Sequence, residues 1–194
     1  MELKSELLRD LRVVIDRETM LRLLPKYATV AELGVDEGDF SDKILRITQP
    51  RELHLIDPWD SNRYDDRKVQ GVLERFRREI AAGRVNVKRG TSVEELKKFP
   101  DGYFDWIYVD TTHSYETTVE ELETGRKKVR AGGIIAGHDY TVGNIGKQLR
   151  YGVIRAVHEF CNQHNWKMIY LTHESNRYLS YALTETLQAD GRRP

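Results

Sequence analysis

The stretch Thr29-Val-Ala-Glu-Leu-Gly-Val-Asp-Glu-Gly38 reads as a short buried strand, Val30 to Leu33, ending directly in a turn with two glycines. A helix pattern follows, with Ser41 at its start and Phe40, Ile44 and Ile47 at helical spacing. Strand, glycine turn and helix form the unit from which doubly wound α/β sheets are built, and such sheets bind nucleotide cofactors at this turn. Glycine lets backbone approach a ligand, because no Cβ intervenes and positive φ costs little. The first amides of the helix are unpaired and can turn toward that ligand. The pattern here is Glu-x-Gly-x-x-x-Gly. It is neither the Gly-x-Gly-x-x-Gly of dinucleotide enzymes nor a P-loop, which needs Lys-Ser/Thr. Glu32 would repel a bare pyrophosphate, so a ligand with a cationic end and a neutral sugar suits the turn better. Read alone, the motif is equally compatible with a plain strand-to-helix connection.

The 194 residues suit one domain, 1–194, with a core at 28–183, a helical extension at 1–25 and a polar tail at 184–194. Lys+Arg and Asp+Glu both number 31, which argues against a nucleic-acid-coating or membrane-surface protein. No apolar run reaches the length of a membrane span. The start, Met1-Glu-Leu-Lys-Ser-Glu, lacks the profile of a signal peptide. Cys161 is the single cysteine, which excludes an intramolecular disulfide and a Cys-rich zinc site and points to a reducing, cytoplasmic setting.

Leu3, Leu7, Leu8, Leu11, Val14 and Ile15 predict an amphipathic N-terminal helix, and Arg17 to Leu24 a second short one stopped by Pro25. These segments cover the sheet or an oligomer contact, or close over a substrate. Glu52-Leu-His-Leu-Ile-Asp57 reads as the next parallel strand. Asp57 follows Gly34 by 23 residues, the spacing at which such folds place a carboxylate on ribose hydroxyls; a strand-ending Asp-Pro turn is the alternative. The loop Asp60–Asp66 is polar, and Val69, Val72, Leu73, Phe76 and Ile80 mark a helix. Val85–Lys88 predicts a third strand, ahead of Thr91 and of Ser92, which would cap a helix in a box with Glu95 and could also face a bound base.

Phe104 to Asp110 is the strongest strand signal. It ends in Asp110-Thr-Thr-His113, which makes His113 a candidate general base on a ligand-facing loop. Ala131 to Ala136 predicts a fifth strand running into Gly137-His138-Asp139. Asp110 and Asp139 would then face each other across one crevice and could hold a divalent cation, with His138 as third ligand; an Asp–His pair that orders the loop is the alternative. Thr141–Gly152 is a glycine-rich loop, and Val153 to Phe160 a helix face. Trp166–Leu171 and Arg177–Leu183 pair as an antiparallel hairpin. Five βα units and a terminal hairpin differ from a dinucleotide fold, which ends in a sixth parallel strand.

With these motifs in place, the chain resembles the class I S-adenosylmethionine-dependent methyltransferases. Within them it is similar to the small-molecule O-methyltransferases of the macrolide-sugar and cephamycin-biosynthesis type. The matching runs are Ala31–Gly38, His54–Asp57, Tyr108–Glu116, Gly132–Tyr140 and Gly152–Val157, and the likeness covers about residues 28–183. It implies a Rossmann-like, doubly wound, seven-stranded α/β sheet with helices on both faces, mostly parallel and closed by the antiparallel hairpin. It implies that Glu32, Gly34, Gly38 and Ser41 surround the methionine part of the cofactor, together with Asp110, that Asp57 binds ribose, and that Thr91 and Ser92 face adenine. Asp110 and Asp139 match metal-binding acids of metal-dependent relatives. His138 stands where those relatives carry an acidic or amide group, so Mn²⁺, Fe²⁺ or no metal fits better than Mg²⁺.

Methyl transfer to an alcohol needs in-line positioning and removal of the hydroxyl proton. His113 is the first candidate for that base and His138 the second, with Asp110 and Asp139 supporting catalysis. A small-molecule acceptor is expected, and a homo-oligomer is compatible with the sequence. The other functional classes are an NAD(P)-dependent Rossmann oxidoreductase and a catalytically silent cofactor-binding domain.

Overall fold

A computed structural model describes residues 2–60 and 65–186, apart from the side chain of Ile145. The loop expected at 60–66 and the tail expected at 184–194 therefore lie largely outside the described residues. The chain opens with a 3-10 turn, Ser5–Leu8, then β1 (Arg12–Val14) and α1 (Arg17–Leu23). Next come β2 (Thr29–Leu33), α2 (Asp39–Thr48), β3 (Glu52–Asp57), α3 (Asp66–Arg75), α4 (Arg77–Ala81), β4 (Val85–Arg89) and α5 (Ser92–Lys97). They are followed by β5 (Phe104–Val109), α6 (Tyr115–Lys128) and β6 (Val129–Gly137). A small ladder of β7 (Gly143–Asn144) and β8 (Leu149–Arg150) precedes α7 (Val153–His164), β9 (Trp166–Thr172) and β10 (Tyr181–Glu185).

The main sheet has eight strands, in the order β1-β9-β10-β6-β5-β2-β3-β4. All neighbours pair in parallel except at β10, which lies antiparallel between β6 and β9. The expected α/β architecture and terminal hairpin are present, but the sheet has eight strands rather than seven. The extra strand is β1. Arg12-Val13-Val14 sits where a helix was predicted, because the leucine spacing before it mimics a helical stripe while the β-branched residues favour an extended edge. The described part of that extension, 2–25, thus folds as a 3-10 turn, a strand and a short helix.

Side-chain alternation along the strands divides the core. Val30, Trp106, Tyr108 and Ala136 pack under α1, α2 and α3 with Met20, Leu21, Ile44 and Val72. Ala31, Leu33, Ile107 and Ile135 pack against α5, α6 and α7 with Leu96, Leu122, Val157 and Phe160. The strand order reverses at β2, which has β3 on one side and β5 on the other. A crevice outside the carboxyl ends of β2 and β5 is where an open α/β sheet receives a ligand.

Candidate active site

Four strands deliver acids to that crevice: Glu32 from β2, Asp57 from β3, and Asp110 and Asp139 just beyond β5 and β6. The turn after β2 is fitted tightly. Gly34 has φ +86°, and a Cβ there would lie 2.0 Å from the Asp110 carbonyl oxygen. Gly38, at φ +79°, caps α2, and a Cβ there would meet the Phe76 ring at 2.7 Å. Both glycines are thus demanded by packing as well as by any ligand.

Asp57 ties the turn to the neighbouring strand. Its Oδ2 accepts from the Val35 and Asp36 amides at 2.8 and 3.1 Å, and its Oδ1 from the Trp59 amide at 2.9 Å. Three of the roughly four acceptor positions of a carboxylate are thereby used. Glu32 is buried and accepts from the Ser41 hydroxyl. Burial pushes its carboxyl up to about 8, against a smaller downward pull from the Ser41 bond. With the Arg17 charge already acting on it, this acid is still mainly neutral at pH 7, and a further cation brought against it would ionise it.

Thr91, not Ser92, takes the position before α5, and its hydroxyl donates to Glu94 at 2.8 Å. The expected Ser92–Glu95 capping box does not form, because the Ser92 hydroxyl instead donates to Glu121 at 2.5 Å. Thr111 donates to the other oxygen of Glu121 at 3.0 Å. Burial pushes Glu121 up to about 7, with the Ser92 and Thr111 bonds pulling the other way.

On the other side of the crevice, His113 Nε2 lies 2.9 Å from Asp139 Oδ2. His113 has φ +61°, and its ring meets that of Tyr151 at 4.7 Å between centroids. Its carbonyl accepts from the Gly152 amide at 2.8 Å, which ties the β7–β8 hairpin to the histidine loop. His138 Nδ1 lies between the two acids, 3.7 Å from Asp110 and 3.4 Å from Asp139. Burial alone would lower the His138 imidazole, but bonds to Asp110 and Asp139 outweigh it and raise it to about 9. Asp139 is buried too, yet the bonds from His113 and His138 hold its carboxyl well below the usual range.

The structure therefore brings together Asp110, His113, His138 and Asp139. The donors that converge within 4.8 Å of one another are those of Asp110, His113 and Asp139, whereas His138 acts as an ion-pair partner to both acids. Sequence reasoning missed Arg17, whose Nη1 lies 3.6 Å from Asp110 Oδ2. It also missed Glu121, which sits on a helix face that looks solvated in sequence.

Residues 31–140 match the methyltransferase domain family, and the chain belongs to that family. No curated protein matches the sequence. Among solved structures, the chain is similar to a SAM dependent methyltransferase from Aquifex aeolicus, at 14% identity and a TM-score of 0.66, over 89% of this chain and 91% of that one. It is also similar to an O-methyltransferase family protein from Burkholderia thailandensis, at 13% identity and a TM-score of 0.59, covering 88% of this chain and 55% of that one. The pyocyanin biosynthetic protein PhzM aligns at 11% identity and a TM-score of 0.64, covering 87% of this chain. This chain spans 54% of PhzM, so about half its length. At these identities the likeness is one of fold. Among the described residues no helix is long and apolar enough to cross a membrane.

Proposed function

We propose that the protein transfers a methyl group from S-adenosylmethionine to a hydroxyl oxygen of a small molecule. The observation that carries this reading is the His113–Asp139 pair at 2.9 Å, standing at the strand ends beside the glycine turn. When bound, S-adenosylmethionine supplies a methyl group on a sulfonium sulfur and leaves as the neutral thioether. Glu32 and Asp110 face its ammonium end, with Gly34, Gly38 and Ser41 shaping that end of the crevice. The remaining acceptor position of Asp57 serves a ribose hydroxyl, and Thr91 and Ser92 flank the adenine. Asp139 accepts the Nε2 proton of His113 and so leaves Nδ1 as the basic nitrogen. That nitrogen takes the acceptor's hydroxyl proton as the oxygen bonds to the methyl carbon. The balanced charge of the chain favours a small acceptor over nucleic acid. The single cysteine, Cys161, is buried, which fits a reducing cytoplasm.

A second reading rests on the convergence of Asp110, His113 and Asp139. These mixed nitrogen and oxygen donors suit Mn²⁺ better than Mg²⁺. A cation there would lower the acceptor's hydroxyl pKa. His113 would then be a ligand, and the metal rather than the imidazole would promote loss of the proton.

The test begins with calorimetric titration of S-adenosylmethionine, with NADH as control, and then follows methyl transfer to a panel of hydroxylated compounds. Binding of S-adenosylmethionine but not NADH is expected. His113→Ala should lower kcat by roughly 10²- to 10⁴-fold. Loss of turnover in EDTA and its return with Mn²⁺ selects the metal reading, and activity indifferent to EDTA selects the imidazole base. If His113→Ala turns over normally, both readings of this residue fail.

A further inference from the structure

Arg17 occupies the first position of α1, where the Asp16 carboxylate caps the helix by accepting from the Thr19 amide at 2.6 Å. From there its side chain reaches across to the carboxyl end of β5. Its guanidinium carbon lies 4.4 Å over the Phe40 ring, and that ring meets the Tyr108 ring at 4.4 Å between centroids. The Tyr108 hydroxyl, which pairs with Ser180 at 3.1 Å, lies close enough for its electrostatics to reach the guanidinium, and Arg17 Nη1 stands 3.6 Å from Asp110.

A guanidinium is a planar fork of five donors, which a carboxylate saturates best by two parallel bonds. The closest approach of Arg17 to Asp110, 3.6 Å, is longer than a hydrogen bond. Glu174, whose Oε1 accepts from the Arg17 amide at 3.5 Å, adds its charge but no hydrogen bond to the fork, so among the described residues Arg17 keeps room on its guanidinium for a bidentate partner. Its side chain is 28% exposed, so a ligand can reach it. Glu32, which also feels the Arg17 charge, lies buried on the same face of the sheet. Two acids and an incompletely paired guanidinium thus share one end of the crevice. An ammonium suits the acids and a carboxylate suits the fork, and an α-amino acid carries both on one carbon.

We infer that Arg17 binds the α-carboxylate of the methyl donor's amino-acid end, which makes α1 part of the donor site rather than an acceptor lid. The inference rests on the crevice being the S-adenosylmethionine site proposed above. It assigns a binding role to a segment in which sequence alone left three roles open.

The test compares S-adenosylmethionine with its decarboxylated analogue, which keeps the sulfonium, ammonium and nucleoside. Both are titrated calorimetrically into the full chain and into its Arg17→Gln and Arg17→Lys variants. Arg17→Gln should weaken S-adenosylmethionine by roughly 10- to 100-fold, the range of a lost charge-assisted pair, and leave the analogue within about twofold. Arg17→Lys, which keeps the charge but not the fork, should lose less and again spare the analogue. Retained binding of the analogue shows that each variant is folded. Equal weakening of both ligands in Arg17→Lys, or no weakening of S-adenosylmethionine in Arg17→Gln, overturns the assignment while the donor reading stands. If the unsubstituted chain binds neither ligand, the donor reading falls and the assignment with it.

Discussion

At Gly34 the ends of β2 and β5 approach so closely that a methyl group would stand 2.0 Å from the Asp110 carbonyl oxygen, in a backbone of φ +86°. Both the contact and the left-handed conformation oppose any side chain there. Gly34→Ala should therefore cost about 3 kcal/mol or more, lowering Tm by roughly 6 °C or more in a thermal melt, and should displace Asp110 and abolish donor binding. An unshifted melt would mean that the two strand ends can part freely. This glycine was legible in sequence, because a strand-to-helix turn with Gly at that point has few conformations. The strand-end acids were legible for the same reason, since each follows an apolar run at its boundary. Arg17 and Glu121 were not. One reaches the crevice from an element remote in sequence, and the other is one acid among many on a charged helix. Which histidine converges with Asp110 and Asp139 was equally hidden, because it depends on the positive φ of His113 and on the Gly152 amide that holds its carbonyl.

The N-terminal elements show where periodicity misleads. Leu3, Leu7, Leu8 and Leu11 repeat at helical spacing, yet the segment forms a 3-10 turn that drops Leu7 into the core beneath α7 and β9. β1 then adds to the sheet edge in parallel with β9, pairing Arg12 with Tyr170 and Val14 with Thr172. Short edge strands lack the two-sided burial that makes Phe104–Val109 readable, and Val13 remains 63% exposed. The single helical stripe expected over Val69–Ile80 likewise breaks into α3 and α4 around Phe76, whose ring is committed to the space above Gly38. If the first residues are integral to the fold, Leu7→Ala removes a side chain that is 2% exposed. Such a deletion costs about 2–5 kcal/mol, so Tm should fall by roughly 5–15 °C. A change within about 1 °C would instead make the segment a dispensable extension.

Across the whole molecule the 31 basic and 31 acidic residues cancel, so net repulsion has little to do with stability near neutrality. The pH dependence then falls to the buried groups around the crevice. Glu32 and Glu121 rise from an ordinary 4.5 to about 8 and about 7. Between those limits the folded state holds protons that the unfolded chain releases. Their stabilisation is complete below pH 4.5 and is lost as pH climbs through 7 and 8. His138, raised from 6.5 to about 9, adds a loss of the same sign over its own window. Asp139 runs the other way, since its lowered carboxyl stabilises the fold above 3.8 and loses that effect on acidification. The ligand-free protein should thus melt at progressively lower temperature from about pH 5 to pH 9, by up to about 1.4 kcal/mol per pH unit for each titrating group. Glu121→Gln should flatten the part of that slope below about pH 7, and a variant with the same slope as the parent would remove Glu121 as its source. A donor whose ammonium approaches Glu32 must ionise it, so binding near pH 7 should release a proton. Calorimetry in buffers of different ionisation enthalpy detects that release directly, and Glu32→Gln should abolish it. Proton release undiminished in Glu32→Gln would place the titrating group elsewhere and leave Glu32 without its role toward the cation.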